Sequence, residues 1–185
     1  RAKVRVEACD VTELTSVTGL IESIEANAPL TGVIHLAGVL DDATLAVLTQ
    51  DQLERVLAPK VRGAWNLHEA TRSHELRAFV LFASVAGTMG GPGQGNYASA
   101  NAFLDSLAHW RRRQGLAAKS LAWGFWEQSG VGMTAHLGAA ELARLSRQGL
   151  VAMSVEQGLS LFDQALSRPE TTLVPVHFDL TRMQR

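Results

Sequence analysis

Five short apolar runs punctuate the chain, and amphipathic stretches fill the intervals between them. Lys3-Val4-Arg5-Val6-Glu7-Ala8 alternates polar and apolar residues with period two, which predicts a strand with unlike faces. Gly32 to Ala37, Ala78 to Ala83 and Lys119 to Trp123 are denser runs, followed by Gly38, Ser84 and Gly124. Runs of that length suit strands covered on both faces. Thr171 to Val176 is the fifth. Its Pro175 has no N–H to give to a ladder, so it belongs at a sheet edge or a strand end.

Helical periodicity occupies the gaps. Thr12 to Ala26 puts Leu14, Val17, Leu20, Ile21 and Ile24 on one face, with Asp10 and Glu13 as a start signal. Thr49 with Gln52 has capping-box spacing and opens a helix to about Ser73, bent near Pro59. A third helix runs from Asn96 or Tyr97 to Arg113 and closes at Gly115, and a fourth spans Ala139 to Gln148 before Gly149. The last starts at Ser154, with Gln157 three residues on, and ends before Pro169. This alternation predicts an α/β fold: a Rossmann-like parallel sheet with helices on both faces and right-handed crossovers. Ligands of such folds bind at the loops that follow the strands.

Composition narrows the function classes. With 185 residues, 46% of them hydrophobic and 19% charged, the chain can bury the core of one domain, and disorder is excluded as its main state. A formal net charge of -1 gives no general attraction to nucleic acid or to an anionic membrane. The single cysteine, Cys9, can form neither an intrachain disulfide nor a cysteine-based metal site alone; a reducing, cytoplasmic setting and no metal are expected. No apolar run approaches the roughly 18 residues a membrane span requires, and no signal-peptide pattern opens the chain. Beginning at Arg1 rather than Met, the sequence reads as a piece of something longer.

The candidate chemistry lies in Gly90-Gly91-Pro92-Gly93-Gln94-Gly95-Asn96-Tyr97, with Asn101 one helical turn on. Tyr97 is the only tyrosine in the chain. A single tyrosine is most often a half-buried packing residue. Here it enters a helix from a glycine-rich loop, and Ser84 stands at the end of a predicted strand. A serine and a tyrosine at strand ends can grip one carbonyl oxygen, the serine by hydrogen bonding and the tyrosine by protonation. A free phenol has a pKa of about 10, so a nearby cation is needed for proton exchange at neutral pH.

Together these pieces carry a resemblance. Ala8-Cys9-Asp10-Val11, His35-Leu36-Ala37-Gly38-Val39-Leu40-Asp41-Asp42, Pro59-Lys60-Val61, Phe82-Ala83-Ser84, Gly91 to Tyr97, Asn101 and Trp123-Gly124-Phe125-Trp126 follow in order along nearly the whole chain. The chain resembles the catalytic half of a ketoreductase domain from a modular type I polyketide synthase, within the short-chain dehydrogenase/reductase superfamily. The resemblance implies residues 1–185 as the C-terminal, catalytic portion of one such domain, with the N-terminal βαβα portion and its phosphate-binding loop absent from this chain. The chain alone would then bind cofactor poorly.

The resemblance implies Ser84, Tyr97, Lys60 and Asn101 as catalytic residues. Ordinary members of the superfamily carry a lysine where Asn101 stands; the synthase ketoreductases take it from the preceding long helix, where Lys60 matches. Lys119 is a rival cation, but it opens a strand far from the catalytic end. The implied cofactor is NADPH, held by Asp10, Val11, His35, Ala37, Gly38, Lys60 and Tyr97. Leu40, Asp41, Asp42, Met89, Gln94, Trp123 and Met133 are implied in substrate binding and stereocontrol. Leu40-Asp41-Asp42 resembles the B-type signature, and Met89 stands where A-type enzymes have tryptophan. Ser99 is not the proline of epimerising B-type members. Trp123 to Thr134 is expected as a flap over the pantetheine arm, with one tryptophan anchoring the core and one covering the substrate. Arg111-Arg112-Arg113 is expected as a solvated helix end. The implied activity is NADPH-dependent reduction of a β-ketoacyl thioester on the phosphopantetheine of an acyl carrier protein, giving a D-β-hydroxyacyl product. The implied partners are that carrier protein and the remainder of the same domain, without nucleic acid or membrane. A non-reducing, structural ketoreductase-like region and a stand-alone reductase are the alternatives.

Overall fold

The computed structural model describes residues 3–127, 149–179 and 181. Four strands form a parallel sheet: β1 (Gly32–His35), β2 (Ala78–Ser84), β3 (Lys119–Trp123) and β5 (Thr172–Leu173), in the order β1-β2-β3-β5. A second, antiparallel pair joins β4 (Leu150–Val151) to β6 (His177–Phe178). The register sets Ser84 opposite Trp123 and His35 opposite Leu81, so the C-terminal strand ends line up on one side of the sheet.

Side-chain alternation along β2 feeds two cores. Phe79, Leu81 and Ala83 meet Leu104, Leu107 and Ala108 of helix α5 (Gly95–Arg113) and Ala64 of helix α3 (Gly63–Thr71). Val80 packs on the other face with Leu121, Trp123, Met153 and Ala165, the last from helix α6 (Val155–Ser167). Helices therefore cover both faces, as the alternating pattern predicts. Helix α1 (Leu14–Glu25) buries Val17 and Ile21 beside α3. A single-turn helix, α4 (Ala86–Met89), links β2 to the glycine loop. None of the described helices is long and apolar enough to cross a membrane.

Both capping boxes form, at Thr49 with Gln52 and at Ser154 with Gln157. Helix α5 ends in a Schellman closure: Leu116 N–H bonds to the Arg111 carbonyl and Gly115 N–H to that of Arg112, with Gly115 at φ 76°. Pro175 lies just past β5, at the sheet edge, and the fifth strand shrinks to Thr172–Leu173.

Three expectations are corrected. Lys3 to Ala8 is not a paired strand; no described strand lies beside it, and Val4 and Val6 are exposed. Asp10 does not cap α1. Its Oδ1 accepts from the Thr12 N–H and hydroxyl in a turn before the helix, whose N-cap is Glu13. The long helix after Thr49 is three segments: α2 (Gln50–Leu57), a π-helical turn (Ala58–Arg62) and α3. The bend expected at Pro59 is thus a widened turn, because proline offers no N–H to the preceding ladder. The helix expected at 139–148 lies outside the described residues, as does Met133.

Candidate active site

Ser84 ends β2, and its Oγ accepts a hydrogen bond from the Ala86 N–H at 3.2 Å. Tyr97 stands in the first turn of α5, half-buried. Burial pushes its phenol above the ordinary 10.0; hydrogen bonding with the Ser84 and Asn101 side chains pulls it back, and the charge of Asp42 adds to the rise. Asn101 is fully buried one turn on, donating Nδ2–H to the Tyr97 carbonyl at 2.7 Å, while its Oδ1 has no partner. Gly87 lets α4 approach α5 here, since a Cβ would come within 3.0 Å of Asn101 Cβ.

Lys60 comes from the π-turn. Its side chain is 2% exposed, Nζ donates to the Phe82 carbonyl at 2.9 Å, and it lies 5.7 Å from the centroid of the Tyr97 ring. Burial lowers its pKa from 10.5 to about 8. Lys60 thus lies beside the Tyr97 ring, and burial, the largest influence on the phenol, holds Tyr97 protonated at neutral pH. Lys119 is far away, with Nζ bonded to the carbonyls of Arg168 and Glu170.

Of the residues expected around a cofactor, Val11 accepts from Asn66 Nδ2 at 3.0 Å through its carbonyl and packs beside Gly63. Asp10 is exposed, its carboxyl pKa lowered by the bonds from Thr12. Ala37 and Gly38 lie in the loop after β1. His35 is buried, and its Nε2 is engaged with the Pro59 carbonyl at 3.1 Å.

The loop holding Leu40, Asp41 and Asp42 is pinned from two sides. Asp41 bonds to Gln52 Nε2 and Arg55 of α2, and its carbonyl accepts from Asn96 Nδ2 at 2.8 Å. Asp42 accepts from Gln94 Nε2 at 2.9 Å, and Ala43 N–H bonds to the Gly93 carbonyl. This loop and the glycine loop before Tyr97 are thus one connected wall. Met89, at the end of α4, is 49% exposed. The bonds of Asn96, Gln52 and Arg55 to Asp41 leave no sequence signal, because nothing local points to a partner 11 to 55 residues away.

Trp123 and Trp126 both anchor the core, against the expectation of one anchor and one cover. Trp123 is 5% exposed, stacked with Phe82 and Trp126, and its Nε1 has no partner. Trp126 fills the space that a Cβ on Gly158 would need. Arg111 is also no solvated helix end: it is buried, bonded to His68 Nδ1 at 2.7 Å and stacked on Phe79, whereas Arg112 and Arg113 are exposed.

The family model for the KR domain matches residues 1–128. The chain belongs to the KR domain family. Its relatives are polyketide synthases. "Polyketide synthase GfsB" of Streptomyces halstedii is 50% identical over 100% of this chain and 3% of its own length. "Spectinabilin polyketide synthase system protein NorB" of Streptomyces orinoci is 53% identical over 95% of this chain and 8% of its own. A Mycobacterium tuberculosis synthase whose name marks it as inactive is 54% identical over 90% of this chain and 10% of its own length. Among solved structures, "Structure of A-type Ketoreductases from Modular Polyketide Synthase" matches with TM-score 0.86 and 42% identity over 94% of this chain and 36% of that one. "The first ketoreductase of the tylosin PKS" matches with TM-score 0.84 and 42% identity over 95% and 37%. The KR fold and ketoreductase family are thereby shown, within the short-chain dehydrogenase/reductase superfamily. This chain spans a tenth or less of these synthases and over a third of the solved chains.

Proposed function

We propose that this KR chain belongs to an enzyme that reduces a β-ketoacyl thioester, carried on the phosphopantetheine of an acyl carrier protein, with NADPH. The observation that carries the reading is the convergence of Ser84, Tyr97, Asn101 and Lys60 at the C-terminal strand ends. The residues fit the nicotinamide-ribose end of the cofactor. The Lys60 ammonium makes one hydrogen bond, to Phe82, and its other N–H groups suit a ribose diol beside Tyr97. Ala37 and Gly38 would offer a small-residue approach, and Asp10 and Val11 would take the adenine end. No glycine-rich turn for the pyrophosphate occurs among the described residues ahead of β1.

Bound NADPH supplies the hydride. Ser84 Oγ hydrogen-bonds the ketone oxygen. Tyr97, held protonated by burial, gives its proton to that oxygen as charge develops there. The ammonium of Lys60 then stabilises the phenolate and hands on a proton, for which a pKa of about 8 is well placed. Asn101 holds the first turn of α5 through the Tyr97 carbonyl. Exposed Ile34 and Leu36, in and just after β1, together with exposed Val4 and Val6, support a further segment of the same domain covering them.

Stereocontrol follows from the pinned wall of Leu40 to Asp42, with Gln94 and Met89 beside it. We assign a D-configured β-hydroxyl without inversion at the α-carbon. The experiment is a reductase assay of the domain containing this chain, with a simple β-ketothioester and NADPH, followed by chiral analysis. Reduction to mainly D product is expected. Absence of reduction overturns the function and leaves a structural region. Mainly L product overturns the loop assignment alone.

A further inference from the structure

The π-turn places two consecutive residues on two neighbouring strands. In an α-helix the Gly63 N–H would bond to the Pro59 carbonyl; here it goes to Ala58 and Lys60 instead. The Pro59 carbonyl is taken by His35 Nε2 of β1 at 3.1 Å. The next residue, Lys60, reaches Phe82 of β2 at 2.9 Å. His35 pairs across the sheet with Leu81, the neighbour of Phe82, so the two anchors are level. Both side chains are buried, at 3% and 2% exposure. The fit is tight: a Cβ on Gly63 would lie 2.9 Å from Val11 Cγ2 and 3.4 Å from His35 Cε1.

We propose that His35 is a positioning residue, whose bond to the Pro59 carbonyl holds the π-turn open and so sets Lys60 against the Tyr97 ring. The carbonyl can only accept, so Nε2 carries the proton and Nδ1 is bare. Burial, the charge of Lys60 and the opposing bond to Pro59 together bring the imidazole to about 4, which keeps this neutral tautomer at working pH. Removing the donor leaves the Pro59 carbonyl without its partner, and the turn can regain α-helical winding by giving that carbonyl the Gly63 N–H. Rewinding rotates Lys60 away from the phenol. This role rests on the reading of Lys60 as part of the reductase site.

The test compares His35→Leu with His35→Gln, whose amide N–H extends to a similar reach, in the domain containing this chain. One measurement needs no activity: acylation of each lysine by an amine-reactive ester, read by peptide mass spectrometry, with exposed Lys3 as internal reference. His35→Leu is expected to raise Lys60 labelling several-fold relative to Lys3, and His35→Gln to leave it near the parent. In the reductase assay, kcat is expected to fall about 10²-fold in His35→Leu with KM little changed, and to recover in His35→Gln. Lys60 labelling equal in all three proteins overturns the proposal. Raised Lys60 labelling in His35→Leu alone, beside a parent that reduces nothing, upholds the positioning role and overturns the function instead. If His35→Leu does not fold, His35→Asn, with its amide too short to reach Pro59, takes its place under the same criteria.

Discussion

Lys60→Met separates the stability effect of the buried ammonium from its chemical use. Lys60 is held at about 8 by burial, against 10.5 in the unfolded chain. Below pH 8 it is charged in both states, and the folded state alone bears the desolvation. Between pH 8 and 10.5 the unfolded chain keeps a proton that the folded chain has released, so stability rises with pH. The whole interval corresponds to about 3 kcal/mol. Methionine matches the length of the side chain without the charge. At pH 7 the variant is expected to be more stable than the parent by up to about 3 kcal/mol, reduced by about 1 kcal/mol for the lost bond to Phe82. That advantage should disappear as pH rises through 8 to 10.5, because only the parent gains stability there. Urea unfolding of both proteins across this range measures it, and groups common to both cancel. Reduction should be largely lost in the variant at every pH, a stability gain at the expense of function. A stability difference that stays constant from pH 7 to 10.5 would refute the reasoning, since the ammonium would then not be desolvated in the fold.

Tyr97→Phe is expected to lower reduction by about 10²–10⁴-fold while cofactor affinity persists; turnover preserved at saturating cofactor would contradict the proton-donor role. The rate of reduction in the parent should fall as pH rises through about 8, where Lys60 gives up its proton. A pH–rate profile flat through that region removes Lys60 from the relay. Gly158→Ala forces a Cβ to within 2.3 Å of the Trp126 ring, and overpacking of this kind costs about 1–3 kcal/mol. An unchanged urea midpoint would show that Trp126 can move freely from α6.

How far the sequence discloses this fold depends on where each partner lies. The central strands β2 and β3 declare themselves because both faces are covered, so nearly every position is apolar. The two capping boxes are equally legible, since both partners lie within one turn. Lys3 to Ala8 shows the limit of periodicity: alternation describes side-chain facing, but a strand also needs a neighbour, and no described one is present. Arg111 misleads for a related reason. An arginine triplet at a helix end reads as solvated, yet the helix turns its first arginine inward onto His68 and Phe79. The catalytic candidates were legible as a family pattern, whereas the bonds that tie Asp41 to Arg55 and Asn96 span distances no local pattern encodes.

Having Lys60 and Asn101 come from separate elements has a physical logic in this geometry. A cation four residues after Tyr97 would ride on the same helix, its position fixed by the turn that also positions the phenol. Asn101 there instead bonds back to the Tyr97 carbonyl and stiffens that turn. The cation arrives from a separate element, fastened to Phe82 of β2, while the serine ends the same strand two residues later. Lysine and serine therefore share one rigid reference, the sheet, and the tyrosine approaches them from α5. A widened turn at Pro59 is what lets a helix beside the sheet project a side chain to that depth. The site's precision then resides in the packing of α5 and the π-turn against β2, so substitutions at Gly63 or Gly87 should disturb chemistry although neither residue bears a reactive group.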